Sequence, residues 1–219
     1  MQKTTIKNNK MRNTVITKDV QVALAPNAAL KDLLKGNSRY VANNLTKSNI
    51  TKLVEQTTDG QFPKAVILSC IDSRVPVEMV FDQTIGDIFV ARVAGNFENT
   101  DILGSMEYSC KVAGSKLVFV LGHEGCGAVK AACDGVKLGN ITALLENINP
   151  AVKLSSEQID GVTNSSNSEF VAKTVENNVK LTINRIRKKS TILSEMEKAG
   201  EIIIVGGVYS LQTGKVSVI

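Results

Sequence analysis

Residues 64–76, KAVILSCIDSRVP, decide how this chain is read. Ala65 to Leu68 form a continuous apolar run of strand length. An alternating run would leave one face wet, whereas a continuous one belongs to a strand covered on both faces. The run then breaks into Cys70, Asp72, Ser73 and Arg74. A thiol, a carboxylate, a hydroxyl and a guanidinium thus stand together where a buried strand ends.

Three further runs have the same character: Ile88–Val93, Lys116–Leu121 and Glu201–Val205. Helical spacing fills the intervals over Asp101–Val112, Ala128–Val136, Thr142–Asn147 and Phe170–Lys198. Such alternation builds a parallel sheet with helices on both faces. After the fourth run, LQTGKVSVI (211–219) turns at Thr213-Gly214 and alternates Val216 with Val218, which predicts a hairpin. The expected fold is α/β, a mostly parallel central sheet of four strands plus an antiparallel C-terminal edge strand, flanked by helices.

Ahead of the alternation, Leu30, Leu33, Leu34, Tyr40 and Val41 mark an N-terminal helical arm with one apolar stripe, kinked at Gly36. Residues 1–26 are polar and aperiodic and predict a poorly ordered arm. Residues 27–219 read as a single domain, with the Ser- and Asn-rich stretch 155–169 an exposed loop inside it.

Composition narrows the function. Aromatics make up 4% of the 219 residues and Trp is absent, so the core is built from Val, Ile, Leu and Ala. The net charge of +5 is spread along the chain. Its densest cluster, Arg185, Arg187, Lys188 and Lys189, lies in a helical pattern and reads as a solvated face. No basic stripe with interleaved aromatics is present, which argues against nucleic acid as a partner. No apolar run approaches the roughly 20 residues of a membrane span, and no apolar core of a signal peptide follows the basic N-terminus. The sequence therefore predicts a cytoplasmic chain, or a periplasmic one if an export signal precedes it. Four cysteines are too few for a disulfide scaffold, so free or metal-bound thiols are expected.

LVFVLGHEGCGAV (117–129) answers the first stretch. A second buried strand ends, and His123, the chain's one histidine, is followed by Cys126 among Gly122, Gly125 and Gly127. Carboxyl ends of neighbouring parallel strands share one crevice, so folding brings Cys70 to His123 and Cys126. Cys₂His is a zinc ligand set that leaves the fourth tetrahedral position open, and its softness suits zinc better than magnesium or calcium. Gly127 opens a helical segment, which places Cys126 near a helix N-terminus, where a thiolate is favoured. Asp72 beside such a site needs a partner to stay ionised, and Arg74 supplies charge-assisted hydrogen bonds. Cys110 and Cys133 lie in helical segments and read as packing residues.

Cys70-Ile-Asp72-Ser73-Arg74 followed by His123-Glu-Gly-Cys126 resembles the β-class carbonic anhydrases. LLKGNSRY (33–40), GDIFVARVAGN (86–96), GSMEYS (104–109) and GGVYSLQTGKV (206–216) look like segments of the same family, so the resemblance covers most of 27–219. It implies Zn²⁺ on Cys70, His123 and Cys126, with Asp72 and Arg74 as a catalytic dyad. The implied reaction is reversible hydration of carbon dioxide to bicarbonate and a proton, by attack of zinc-bound hydroxide. Gln61, Phe89, Tyr108 and Gly127 match substrate-binding positions of the family's glutamine-bearing, non-allosteric branch. The other branch carries a Trp before the motif, and this chain has none. In part of the family the aspartate matching Asp72 also ligates zinc in a closed, inactive state. The resemblance implies a homodimer or homotetramer in which Tyr108 faces a neighbour's site. Two rival readings stand beside it: a carbon disulfide or carbonyl sulfide hydrolase on the same scaffold, and a non-enzymatic zinc-binding or redox-sensing protein.

Overall fold

Apolar continuity in the four runs produces the sheet. A computed structural model describes residues 11–219. Its first elements are helices α1 (Lys18–Ala23), α2 (Pro26–Val41) and α3 (Ile50–Thr57), followed by strand β1 (Ala65–Ser69) and the single turn α4 (Val77–Val80). Strand β2 (Ile88–Arg92) leads to α5 (Thr100–Glu107), which continues as a π-helical turn over Tyr108–Val112. Strand β3 (Leu117–His123) precedes α6 (Gly127–Cys133), α7 (Gly139–Glu146), α8 (Asn149–Ser156), α9 (Ser168–Lys189) and α10 (Thr191–Lys198). Strands β4 (Ile203–Tyr209) and β5 (Val216–Val218) close the chain.

The strand order is β2-β1-β3-β4-β5, with the first four parallel and β5 antiparallel to β4. Every residue of β1 and β3 is buried. Ala65 and Ile67 face a core shared with α2 and α4, while Val66 and Leu68 face one shared with α9 and α10. A third cluster joins Cys70, Phe97 and Cys126 to α6, α8 and α9 at the carboxyl end of the sheet. No helix among the described residues is long and apolar enough to cross a membrane.

The structure corrects several expectations. Helix α2 runs through Gly36 without a break, and the glycine is needed for approach: a Cβ there would overlap the Phe81 carbonyl oxygen. The helix expected over Phe170–Lys198 divides at Ser190, whose side chain caps α10 by accepting from Leu193 N–H. Strands β3 and β4 extend past their expected ends, through Gly122 to His123 and through Gly206-Gly207 to Tyr209. Gly122 and Gly206 let α9 lie close, since a Cβ on them would stand 2.7 and 2.5 Å from Val179, while one on Gly207 would stand 2.7 Å from the Ser217 carbonyl oxygen of β5.

Of the arm expected over 1–26, residues 1–10 lie outside the described residues. The rest is docked on the body. Thr17 caps α1. Buried Gln21 donates to the carbonyls of Pro63 and Ala113 at 2.7 and 2.8 Å. Arg12 grips the fully buried carboxylate of Asp87 through two hydrogen bonds of 2.7 and 2.6 Å.

Candidate metal centre

Two strand ends and one helix start build the site. Ser69, the last residue of β1, pairs with Leu121, and β3 runs two residues further to His123. Cys70 leaves the sheet directly after β1, and Cys126 is the N-cap residue of α6. The strand order reverses between β1 and β3, because β2 lies on one side of β1 and β3 with β4 on the other. In open α/β sheets such a switch point leaves a crevice beyond the carboxyl ends. Cys70 and His123 stand on its two walls.

The ligand atoms of Cys70, His123 and Cys126 lie within 4.8 Å of one another, and all three residues are buried. The two sulfurs are 3.9 Å apart. Thiolates held at about 2.3 Å by a tetrahedral zinc would stand about 3.8 Å apart, whereas a disulfide needs about 2.05 Å. His123 provides an independent test of fit. Its Nδ1 lies 2.9 Å from the Glu124 carbonyl oxygen and so carries the proton. Its Nε2 is buried without a hydrogen-bond partner among the described residues. A cation shared with two thiolates removes that deficit, so the residues present fit a zinc ion.

The electrostatics agree with a thiolate site. The hydrogen bond from Cys126 holds the Cys70 thiol well below its usual range, helped by His123 and the Gly95 N–H and opposed by burial. The same pairing, and then burial, push Cys126 up. Backbone N–H groups of Val129 and Ala128 at the start of α6 pull it the other way.

Asp72 is clamped from one side. Its Oδ1 accepts from the Arg74 backbone N–H at 2.9 Å and from Nε at 3.0 Å, and its Oδ2 accepts from Nη2 at 2.7 Å. Arg74 thereby holds the Asp72 carboxyl far below the usual carboxylate range, against a smaller effect of burial. Oδ2 stands 3.8 Å from His123 Nε2, beside the three-donor cluster without joining it. Gly127 opens α6 on the exposed rim of the same site.

Phe89, Tyr108 and Gln61 lie elsewhere. Phe89 pairs with Val66, four residues before Cys70, or about 13 Å along the strand. Its ring meets Tyr108 edge-on at 6.3 Å, and both line a groove of about 740 Å³ along the β2 edge. Gln61 is exposed in the loop after α3.

Sequence reasoning missed three residues that support the site. Arg92, at the end of β2, donates to the carbonyls of Cys70 and Asp72 at 2.8 and 2.7 Å, fixing the loop between them. Its one signal was a charge at the end of an apolar run. Glu124 accepts from Ser210 Oγ at 2.9 Å and Leu211 N–H at 3.0 Å, which ties the His–Cys turn to the β4–β5 connection. Asn178 reaches Gly95 from α9 and left no signal in the pattern.

The family model for carbonic anhydrase matches residues 65–216, which include the cysteine–histidine cluster, Asp72 and Arg74. The chain belongs to the β-carbonic anhydrase family. Carbonic anhydrase, a lyase, is its enzyme class. It is 36% identical to the carbonic anhydrase of Mycolicibacterium smegmatis over 197 residues, covering 87% of this chain and 92% of that one. Identity to carbonic anhydrase 2 of Mycobacterium tuberculosis is also 36%, over 198 residues, covering 87% and 91%. In fold it is similar to the Coccomyxa β-carbonic anhydrase solved with acetazolamide, with a TM-score of 0.69 at 23% identity over 87% and 84% of the chains. It is likewise similar to a tetrameric β-carbonic anhydrase of Sordaria macrospora, with a TM-score of 0.67 at 24% identity over 77% and 84%. The β-carbonic anhydrases are zinc enzymes, and the cysteine–histidine cluster could hold such an ion.

Proposed function

We propose that the chain catalyses reversible hydration of carbon dioxide to bicarbonate and a proton at a zinc ion held by Cys70, His123 and Cys126. One observation carries this reading: a buried His123 Nε2, without a hydrogen-bond partner among the described residues, faces two thiol sulfurs at tetrahedral spacing, with an ionised Asp72 beside them. Zinc there supplies a Lewis acid that makes water nucleophilic near neutral pH.

The chain's own residues do the rest. Asp72 can only accept a hydrogen bond, because Arg74 keeps it ionised, so the carboxylate selects the orientation in which the attacking water points a lone pair at carbon dioxide. Arg74 fixes that carboxylate through a fork of two bonds, and Arg92 fixes the backbone on either side of it. His123 is committed to the metal and Asp72 is held ionised, so the released proton leaves through a neighbouring chain's Tyr108 or external buffer.

Gln61, Phe89 and Tyr108 stand apart from the cluster of their own chain, and we assign them to substrate binding across a homodimer or homotetramer interface. The exposed Tyr108 ring and the groove beside edge strand β2 support that assignment. Absence of Trp and the Asp72–Arg74 pairing support our assignment of the chain to the glutamine-bearing, non-allosteric branch.

The test is stopped-flow carbon dioxide hydration by protein of verified zinc content. Rapid turnover with about one zinc per chain is expected. A zinc-loaded protein that is inert toward carbon dioxide but releases sulfide from carbon disulfide would overturn the assignment.

A further inference from the structure

Asn178 sits where helix propensity and burial both disfavour it. It lies mid-way along α9 and is 1% exposed. Asparagine is a weak helix former because its amide competes for backbone partners, and a buried polar atom left unpaired is costly. Here one end of the amide is paired and the other is not. Nδ2 donates to the Gly95 carbonyl at 2.7 Å, while Oδ1 is buried without a partner among the described residues. A leucine of similar size would fill the space beside Val175 and Val179 without that deficit, so packing alone gives no account of the amide.

Its one bond ends at a residue that touches the cluster. The Gly95 N–H donates to Cys70 Sγ at 3.4 Å. Gly95 has φ +83° and Asn96 has φ +43°, two successive residues in the left-handed region. Asn178 holds the peptide between them, and the Gly95 N–H, which belongs to the preceding peptide, is joined to it through the Gly95 Cα, so the grip restrains the N–H through the Gly95 φ and ψ. Helix α9 comes close enough because Gly122 and Gly206 have no Cβ, which would lie 2.7 and 2.5 Å from Val179. Further along the loop, Glu98 is gripped by Arg185 and Lys189 of the same helix.

The two sulfurs are therefore served by different devices. Cys126 faces N–H groups at a helix start, which the helix's own hydrogen bonds hold in place. Cys70 has no helix behind it. Beside the Asp72 N–H of its own loop, its other N–H donor comes from a left-handed turn that an amide on α9 keeps in register.

We propose that Asn178 is a positioning residue of the metal centre: through Gly95 it aims a backbone N–H at the Cys70 sulfur and so sets how tightly that thiolate holds zinc. The proposal rests on Cys70, His123 and Cys126 being the zinc ligands. An N–H···S bond withdraws charge from a thiolate and favours its ionised form. Loss of an outer partner of a metal ligand weakens metal binding by about 10–100-fold.

The test compares Asn178→Leu and Asn178→Ser with the wild-type full chain. Leucine keeps the volume without a donor, and serine carries a hydroxyl too short to reach Gly95. Two readouts are independent of turnover: zinc transfer to a competing chelator, and the sulfur-to-cobalt charge-transfer band of Co²⁺-substituted protein. Both variants should bind zinc about tenfold more weakly, with the band moved to longer wavelength as sulfur becomes more electron-rich. Val175→Ala, which opens a cavity on the same helix face, should lower stability and leave the band in place. Wild-type zinc affinity and band position in whichever Asn178 variant folds would overturn the proposal. So would an equal band shift in Val175→Ala, which would reduce Asn178 to a packing role. Wild-type protein that fails to bind zinc would instead sink the metal assignment itself, so the two failures are told apart.

Discussion

Arg74→Ala separates orientation from metal binding. Arg74 gives Asp72 three donors, and alanine removes the two from the guanidinium while keeping the backbone N–H at 2.9 Å. The Arg74 side chain is 56% exposed, so solvent screens the pair and it adds little to global stability. Positioning is another matter. With one donor left, the Asp72 carboxylate can turn about χ2, and Oδ2, now 3.8 Å from His123 Nε2, is free to swing into the open position of the cluster. A displacement near 1 Å at a reacting group costs about 10²-fold in rate, or about 2.7 kcal/mol of barrier. Turnover should fall by about that factor while zinc stays near one per chain and the melting temperature moves little. Arg74→Lys, a single-point donor, should recover part of the loss. The loss should be uniform between pH 6 and 9, because Arg74 lowers the Asp72 pKa from an ordinary value of 3.8 that already lies far below that window. By the same sign, the pair's stability contribution is present above that value and is lost as pH falls below it. Stopped-flow hydration with metal analysis decides the matter. Turnover within threefold of wild type, or zinc lost in step with activity, would refute the orienting role.

Cys126→Ser should lose both zinc and activity, and full zinc occupancy in that variant would reject the ligand assignment. Arg12→Met strips two charge-assisted bonds from fully buried Asp87, leaving the Thr84 N–H; denaturant unfolding should show a loss of about 3 kcal/mol, largely restored by adding Asp87→Asn. Sedimentation at assay concentration should show dimers or larger assemblies, and a fully active monomer would remove Gln61, Phe89 and Tyr108 from a shared site. Activity of the wild type should rise smoothly with pH, and a steep cooperative shutdown below pH 8 would move the chain to the allosteric branch.

The sheet was legible because burial on both faces leaves a sequence mark, an unbroken apolar run such as AVIL (65–68). Its ends were not. Gly122, Gly206 and Gly207 look like strand breakers, yet they pair in register with their neighbours; the first two admit α9 and the third admits β5. The turn α4 and the eight-residue helices α3 and α8 are too short for a periodic stripe to emerge from the composition. The docked arm was illegible for another reason. Arg12 and Asp87 are 75 positions apart, and nothing local in either segment announces the other.

The candidate site divides along the same line. Cys70, His123 and Cys126 could be read because soft donors at the ends of apolar runs are improbable as packing and because the topology places those ends together. Asp72 and Arg74 could be read because each explains the other's charge. Arg92 and Asn178 could not, since both bond to backbone carbonyls, of Cys70, Asp72 and Gly95. A carbonyl is present at every residue, so a side chain that grips one imposes no residue type on its partner and leaves no paired signature. Gly95 shows how far this goes. Its residue type is explained by φ +83° and by the crowding of Ile148, and its contact with Cys70 is made by a main-chain N–H. Sequence chemistry thus exposes groups that act through their own side chains. Groups that act by holding the backbone in place become visible only when the carbonyl they hold, and the sulfur beyond it, have coordinates.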